Sequence, residues 1–81
     1  MSDWRERIVS DPEILRGKPV VRGTRLSVEL ILGWLAQGWT HEMLLESYPQ
    51  LGRDDILAAL AYTTALLREE SYLTFDHRAA T

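Results

Sequence analysis

The sequence contains no cysteine, which excludes disulfide bonds and thiolate metal sites from this chain. With 81 residues, the chain is near the lower end of what one hydrophobic core can hold together. No covalent staple compensates for this small size, so self-association is expected.

Long apolar runs are also missing, because no stretch approaches the roughly 18 uninterrupted apolar residues of a membrane-spanning helix. The charged start MSDWRERIVSD contains no apolar signal-peptide core. An apolar fraction of 46% and a charged fraction of 26% are typical of a folded domain rather than a disordered chain. We therefore expect one cytoplasmic domain with no membrane partner.

Neither sign of charge dominates, since the formal net charge is only −3. The charges are unevenly distributed, however. Residues 1–28 carry six basic and four acidic side chains, whereas residues 29–70 carry two basic and seven acidic ones. This asymmetry argues against a general attraction to nucleic acid but allows a local one through the N-terminal segment.

The N-terminal segment, residues 1–26, is predicted to be an extended β-arm. Three apolar pairs alternate with turn signals along it: Ile8-Val9, Ile14-Leu15 and Val20-Val21. Such pairs are typical of very short strands or a hairpin, which must lie on another element to be stable. Gly17 and Gly23 are expected at turns that need a positive φ.

Apolar residues at helical spacing predict three helices, over residues 27–37, 41–48 and 53–70. Ser27 and Thr40 are suited to cap the first two helices, and Pro49 stops the second. Gly38 is expected just beyond the first helix, at the C′ position. Gly33, within that helix, is expected to mark close packing by another segment, because glycine otherwise costs about 1 kcal/mol relative to alanine.

The third predicted helix is apolar nearly all round, and one small domain cannot cover every side of such a helix. We therefore predict a homodimer or partner interface along residues 56–67. A flexible C-terminal tail, residues 71–81, is expected to fold when it binds a partner. The residues assigned to these interfaces are Ile56, Leu57, Leu60, Leu67, Tyr72, Leu73 and Phe75.

The second and third predicted helices match a helix-turn-helix unit, although any three-helix bundle produces this pattern. Asp54 and Asp55 follow Arg53 in the first turn of the third helix and would repel phosphate, so this helix is a poor recognition helix. A basic cluster on the arm is the better candidate for DNA contact. Its alternative interpretation is a solvated loop or salt bridges to the acidic helices. The predicted DNA-contacting residues are Arg16, Lys18, Arg22, Arg25 and Arg53.

Catalytic and cofactor sites are not indicated by the sequence. The phosphate-loop spacing GxxxxGK[ST] is absent, and His41 and His77 have no companions at the spacing of metal ligands. No nucleophile is paired with a base in a recognisable pattern. We expect a protein that is not an enzyme and that uses no metal, cofactor or small-molecule substrate.

Four motifs together resemble one protein family. The run IVSDPEILRGKPVVRGTRLSVELIL is followed by LAQGW, LLESYPQL and DDILAALAY. This combination resembles the bacterial and archaeal family called domain of unknown function 433, over roughly residues 8–67. The resemblance implies a mainly α fold, a three-helix homeodomain-like (helix-turn-helix) bundle with a short N-terminal β-arm.

The resemblance also implies a function, that of an antitoxin-like component of a type II toxin–antitoxin system. Such a protein neutralises a PIN-like toxin that is encoded beside it, and operator DNA is a further expected partner. The alternative is a homodimeric interaction module that binds only protein.

Overall fold

The computed structural model describes residues 3–74, with side chains described as far as residue 69. Its elements, in chain order, are a 3-10 turn at Trp4–Glu6, strand β1 at Ile8–Val9, a second 3-10 turn at Leu15–Gly17, strand β2 at Val20–Val21, and helices α1 (Val28–Ala36), α2 (His41–Ser47) and α3 (Arg53–Thr74). The predicted fold class, three helices preceded by a short antiparallel hairpin, is confirmed.

The N-terminal hairpin is held against the helices by its own apolar side chains. β1 and β2 pair antiparallel, with Ile8 opposite Val21 and Val9 opposite Val20. Ile8, Val20 and Val21 are buried in the core. A two-stranded ribbon is marginal alone in water, so this burial is what stabilises it.

The middle apolar pair does not form a strand, which corrects the sequence prediction for Ile14-Leu15. Leu15, Arg16 and Gly17 have φ values of 49°, 57° and 84° and form a tight left-handed turn. The Gly17 and Lys18 N–H groups close this turn by donating to the carbonyls of Ile14 and Leu15. The left-handed conformation costs a non-glycine residue about 1–2 kcal/mol, so the rest of the fold must stabilise this turn.

The predicted N-caps of α1 and α2 are confirmed. The Ser27 hydroxyl accepts a hydrogen bond from the Leu30 N–H at 3.0 Å, and the Thr40 hydroxyl accepts one from the Met43 N–H at 3.1 Å. Each bond satisfies a backbone donor that has no partner within its helix. Helix α2 ends at Ser47, shortly before Pro49.

The end of α1 is a Schellman motif. Gly38 has φ +96°, and its N–H donates to the Leu35 carbonyl, while the Trp39 N–H donates to the Trp34 carbonyl. The Trp39 ring returns onto α1 and stacks on Trp34 with ring centroids 4.1 Å apart. The predicted positions of Gly38 and Trp39 are therefore both confirmed.

Gly33 is not closely packed, and this sequence prediction is wrong. A Cβ placed at Gly33 would meet no atom of the described residues within 4 Å, apart from its chain neighbours and its own helix backbone, and the residue is exposed.

We expect Gly33→Ala to raise the free energy of unfolding by about 0.5–1 kcal/mol, because alanine is the better helix former. Gly38→Ala should lower it by about 1 kcal/mol, because its φ disfavours a Cβ.

Urea unfolding of the two glycine variants beside the parent chain measures this contrast. A loss of stability in Gly33→Ala would contradict the prediction and would show that another segment or molecule approaches this face of α1.

The core forms where the hairpin and the three helices meet. Ile31 of α1, Leu44 of α2 and Ile56 of α3 are almost completely inaccessible to solvent, and Leu51 in the α2–α3 loop is also buried. Because Ile56 lies in this core, it cannot belong to the surface interface that the sequence predicted. None of the helices in the described region combines the length and apolarity needed to cross a bilayer.

Helix α3 runs to Thr74, whereas the sequence predicted an end at residue 70. Residues 71–74, predicted as part of the tail, therefore continue the helix. The backbone of Tyr72 and Leu73 belongs to this last turn, but their side chains lie outside the described part, as does Phe75.

Candidate functional site

Four basic residues flank strand β2 and define the basic loop: Arg16, Lys18, Arg22 and Arg25. All four are exposed to solvent. Two of them precede the strand and two follow it, so the short hairpin places both pairs at the surface of one small element. Four of the five residues predicted to contact DNA therefore belong to one short exposed segment.

Two members of the basic loop already have partners within the chain. The Lys18 Nζ donates to Glu29 Oε1 of α1 at 3.0 Å, and the Arg22 Nε donates to the Glu6 carbonyl at 2.8 Å. The Lys18–Glu29 pair is well exposed, so it is worth at most about 1 kcal/mol. Arg16 and Arg25 form no side-chain hydrogen bond or ion pair with other described residues.

The fifth predicted DNA-contacting residue, Arg53, is engaged elsewhere. It begins α3, and its guanidinium lies 3.8 Å from the Glu42 carboxylate of α2. Asp54 follows it directly. These neighbouring acids reduce the positive potential at this helix end, so Arg53 is a weaker candidate than Arg16 or Arg25.

Arg7 fixes the arm to the first turn of α3, a role that the sequence analysis missed. Its guanidinium lies 3.1 Å from Asp55 and 3.6 Å from Asp54. Asp55 also accepts a hydrogen bond from the Gly52 N–H at 2.8 Å and so caps α3. Both acids therefore have structural partners. No local signal could have found this contact, because 48 residues separate Arg7 from Asp55.

An open cleft of about 390 Å³ lies beside this contact. Glu6, Arg7, Arg22 and Asp55 line it. The Nε atom of Arg7 is buried there with no hydrogen-bond partner among the described residues. Two basic and two acidic side chains balance their formal charges, so the cleft has no strong preference for an anion.

An apolar surface runs along α3 and is here called the α3 stripe: Leu57, Leu60, Ala61, Thr64 and Leu67. Its leucines are 45%, 36% and 57% exposed, in that order. These residues recur three or four positions apart, so they share one side of the helix. This side faces away from Ala59, which is fully buried in the core.

A second apolar surface on α3 lies against the N-terminal turn. Trp4 packs edge-on against Tyr62 with ring centroids 5.0 Å apart. The groove beside them has a volume of about 160 Å³ and is also lined by Ala65 and Leu66. Leu66 is 44% exposed. The C-terminal half of α3 therefore carries exposed leucines on two of its faces.

The family described as "Protein of unknown function (DUF433)" matches residues 8–63. This chain belongs to the DUF433 family. The predicted family is confirmed. The matched region includes the hairpin, the basic loop, α1, α2 and the first half of α3.

Two similar proteins can be compared with the chain. It is 43% identical over 61 residues to an uncharacterized protein, y4eO, of Sinorhizobium fredii. This match covers 75% of our chain but only 28% of the relative, so the chain spans less than a third of that protein. The crystal structure of a DUF433 member protein from Anabaena variabilis matches with a TM-score of 0.67 at 28% identity, covering 93% of our chain and 69% of that one.

Proposed function

We propose that this DUF433 protein is a non-enzymatic, antitoxin-like component of a type II toxin–antitoxin system. In this role it binds a PIN-like toxin through α3 and operator DNA through the basic loop. The observation that carries the proposal is the exposed apolar surface on the face of α3 that contains Leu66. The motif resemblance of the GKPVVRGTR run and its companions supports a toxin as the protein partner.

Helix α3 extends beyond the core in a way that suits a protein partner. Leu66 lies on a different face of α3 from the α3 stripe, is 44% exposed and lines the groove beside Trp4 and Tyr62. Partners commonly recognise such a helix by laying its apolar face into a groove. The proposed toxin-contacting segment is the last helical turn with the residue after it, which contains Tyr72, Leu73 and Phe75.

The DNA half of the proposal depends on the basic loop. Arg16 is held exposed in the left-handed turn at φ 57°, and costly backbone conformations of this kind tend to persist at functional sites. Because Lys18 and Arg22 are partnered within the chain, Arg16 and Arg25 are the cations most available to phosphate. The same pairing favours the alternative, a protein-only homodimeric module, since it leaves fewer available charges.

Co-expression with the product of the adjacent gene tests the toxin half of the proposal. We expect that product to be a PIN-like ribonuclease that arrests growth alone and is neutralised in a complex with this chain. The double variant Tyr72→Ser, Leu73→Ser should lose both the complex and the neutralisation, because it removes two of the three large apolar side chains of the segment. The matched control Ser71→Ala, Thr74→Ala should retain both.

An adjacent product that does not bind this chain would contradict the proposal. Full neutralisation by the Tyr72→Ser, Leu73→Ser variant would exclude the proposed contact segment.

A further inference from the structure

We infer that two copies of this chain pair through the α3 stripe, with their α3 helices side by side and antiparallel. The pairing needs only this chain, so it goes beyond the proposed function and does not depend on a toxin or on DNA. It explains why an 81-residue domain leaves three leucines of one helix face in contact with water.

The α3 stripe can be covered without leaving a polar group unsatisfied. Its only hydroxyl, that of Thr64, donates to the Leu60 carbonyl of the same helix at 2.9 Å. The Thr64 hydroxyl keeps this hydrogen bond when the stripe is covered, so burial leaves its donor satisfied. The remaining stripe side chains are leucines and one alanine, which gain from leaving water.

The order of residues along the stripe makes it complementary to itself. A two-fold axis between Ala61 and Thr64 would place Ala61 of one copy opposite Thr64 of the other, so small side chains meet where the helices cross. Leu60 would then lie beside Leu67 of the second copy. Small residues at the centre with leucines around them allow close helix packing, at an axial separation of about 8–10 Å.

Charge decides the direction of the pair. Arg53 and Arg68 lie on the stripe side of α3, at opposite ends of the stripe. A parallel pair would set Arg68 against Arg68 and Arg53 against Arg53, whereas an antiparallel pair separates these like charges. It also brings Arg68 within about one helical turn of Asp54 in the second copy. Asp54 already lies 3.6 Å from Arg7 of its own chain, but its side chain is 62% exposed, so its carboxylate can also meet a cation of the second copy.

The self-complementarity also favours a second copy over an unrelated occupant. One two-fold contact covers the stripe of both molecules at once, which is how most closed protein dimers form. Antiparallel helix dipoles add a further favourable contribution. A different protein would cover the stripe of this chain only.

Sedimentation equilibrium of the full chain at micromolar concentrations tests the pairing. We expect a dimer in the parent protein, and Leu57→Lys should raise its dissociation constant at least about tenfold by placing a charge in the interface. Leu66→Lys is the matched control, because Leu66 and Leu57 are 44% and 45% exposed on the same helix but on different faces. The control should leave the dissociation constant within about twofold of the parent value. Thermal melts of both variants check that each one folds.

Disulfide trapping tests the direction, and the absence of native cysteine makes each introduced thiol unique. Thr64→Cys should form a disulfide with itself in the dimer, because the two-fold axis passes beside residue 64. Leu67→Cys should not, because the axis leaves the two copies of residue 67 about 13 Å apart along the helices, beyond the reach of a disulfide.

Three outcomes would overturn the inference. A monomeric parent chain would leave the stripe to another protein. Equal effects of Leu57→Lys and Leu66→Lys would place the interface elsewhere. Disulfide formation by Leu67→Cys as readily as by Thr64→Cys would show a parallel pair.

Discussion

Ile56→Ala is expected to lower the free energy of unfolding by about 3 kcal/mol. The Ile56 side chain is fully buried and belongs to the same core cluster as Ile31 of α1 and Leu44 of α2. Alanine would remove several methyl and methylene groups and leave a cavity that the surrounding helices cannot fill completely. A domain of this size has a total stability of about 4–12 kcal/mol. The substitution therefore removes a large part of it.

Urea unfolding followed by far-UV circular dichroism measures this loss. Ile56→Val keeps most of the volume and should cost only about 1 kcal/mol, so it remains informative if the alanine variant is largely unfolded. Leu66→Ala is the surface control on the same helix and should change the stability by less than about 0.5 kcal/mol. Equal losses at Ile56 and Leu66 would contradict the assignment of Ile56 to the core.

The features that the sequence predicted correctly depend on contacts between near neighbours in the chain. The caps at Ser27 and Thr40 join residues three positions apart, and the Gly38 motif closes within five positions. Local chemistry determines such contacts, because the side-chain oxygen or the positive φ is a property of the residue itself. The same is true of the positive φ at Gly23.

The predictions that failed depend on packing between distant segments. The apolar pair Ile14-Leu15 resembles a strand, but Leu15 and Arg16 adopt a left-handed backbone that their residue types rarely take and that the sequence therefore does not predict. Because α3 is apolar nearly all round, periodicity could not show that Ile56 faces the core while Leu57 faces solvent. The sequence predicts that another segment packs closely on Gly33, but no described atom of another segment lies within 4 Å of the position that a Cβ would take there.

The candidate surfaces were predicted only in part for the same reason. The cluster of cations on the arm is evident from their spacing in sequence. The spacing does not show which of these cations are available to bind another molecule, because Lys18 reaches Glu29 only when α1 packs beside the hairpin. The Arg7–Asp55 contact is invisible in the sequence, because any of several acids along the helices could have been its partner.

The antitoxin-like role includes DNA binding through the basic loop. We therefore expect Arg16→Gln and Arg25→Gln each to lower the affinity for DNA. Each neutralised phosphate releases about one counterion, so the slope of log affinity against log salt should flatten by about 0.9 for every phosphate that a variant leaves without its arginine. Arg16 and Arg25 are the informative positions, because Lys18 and Arg22 also hold bonds within the chain. In a dimer each substitution acts twice, so the slope should change by about 2.

Fluorescence anisotropy with the chain's own promoter fragment, measured over a salt series, gives these slopes. Arg5→Gln is the control for charge alone, because Arg5 lies outside the basic loop, where it pairs with Asp3 at 3.3 Å and covers the Trp4 ring. The control should keep the parent slope, since its guanidinium already has an anionic partner. An equal effect of all three substitutions would indicate general electrostatic attraction instead of a defined contact. If the fragment is not retained even at low salt, the protein-only alternative replaces the DNA half of the proposal.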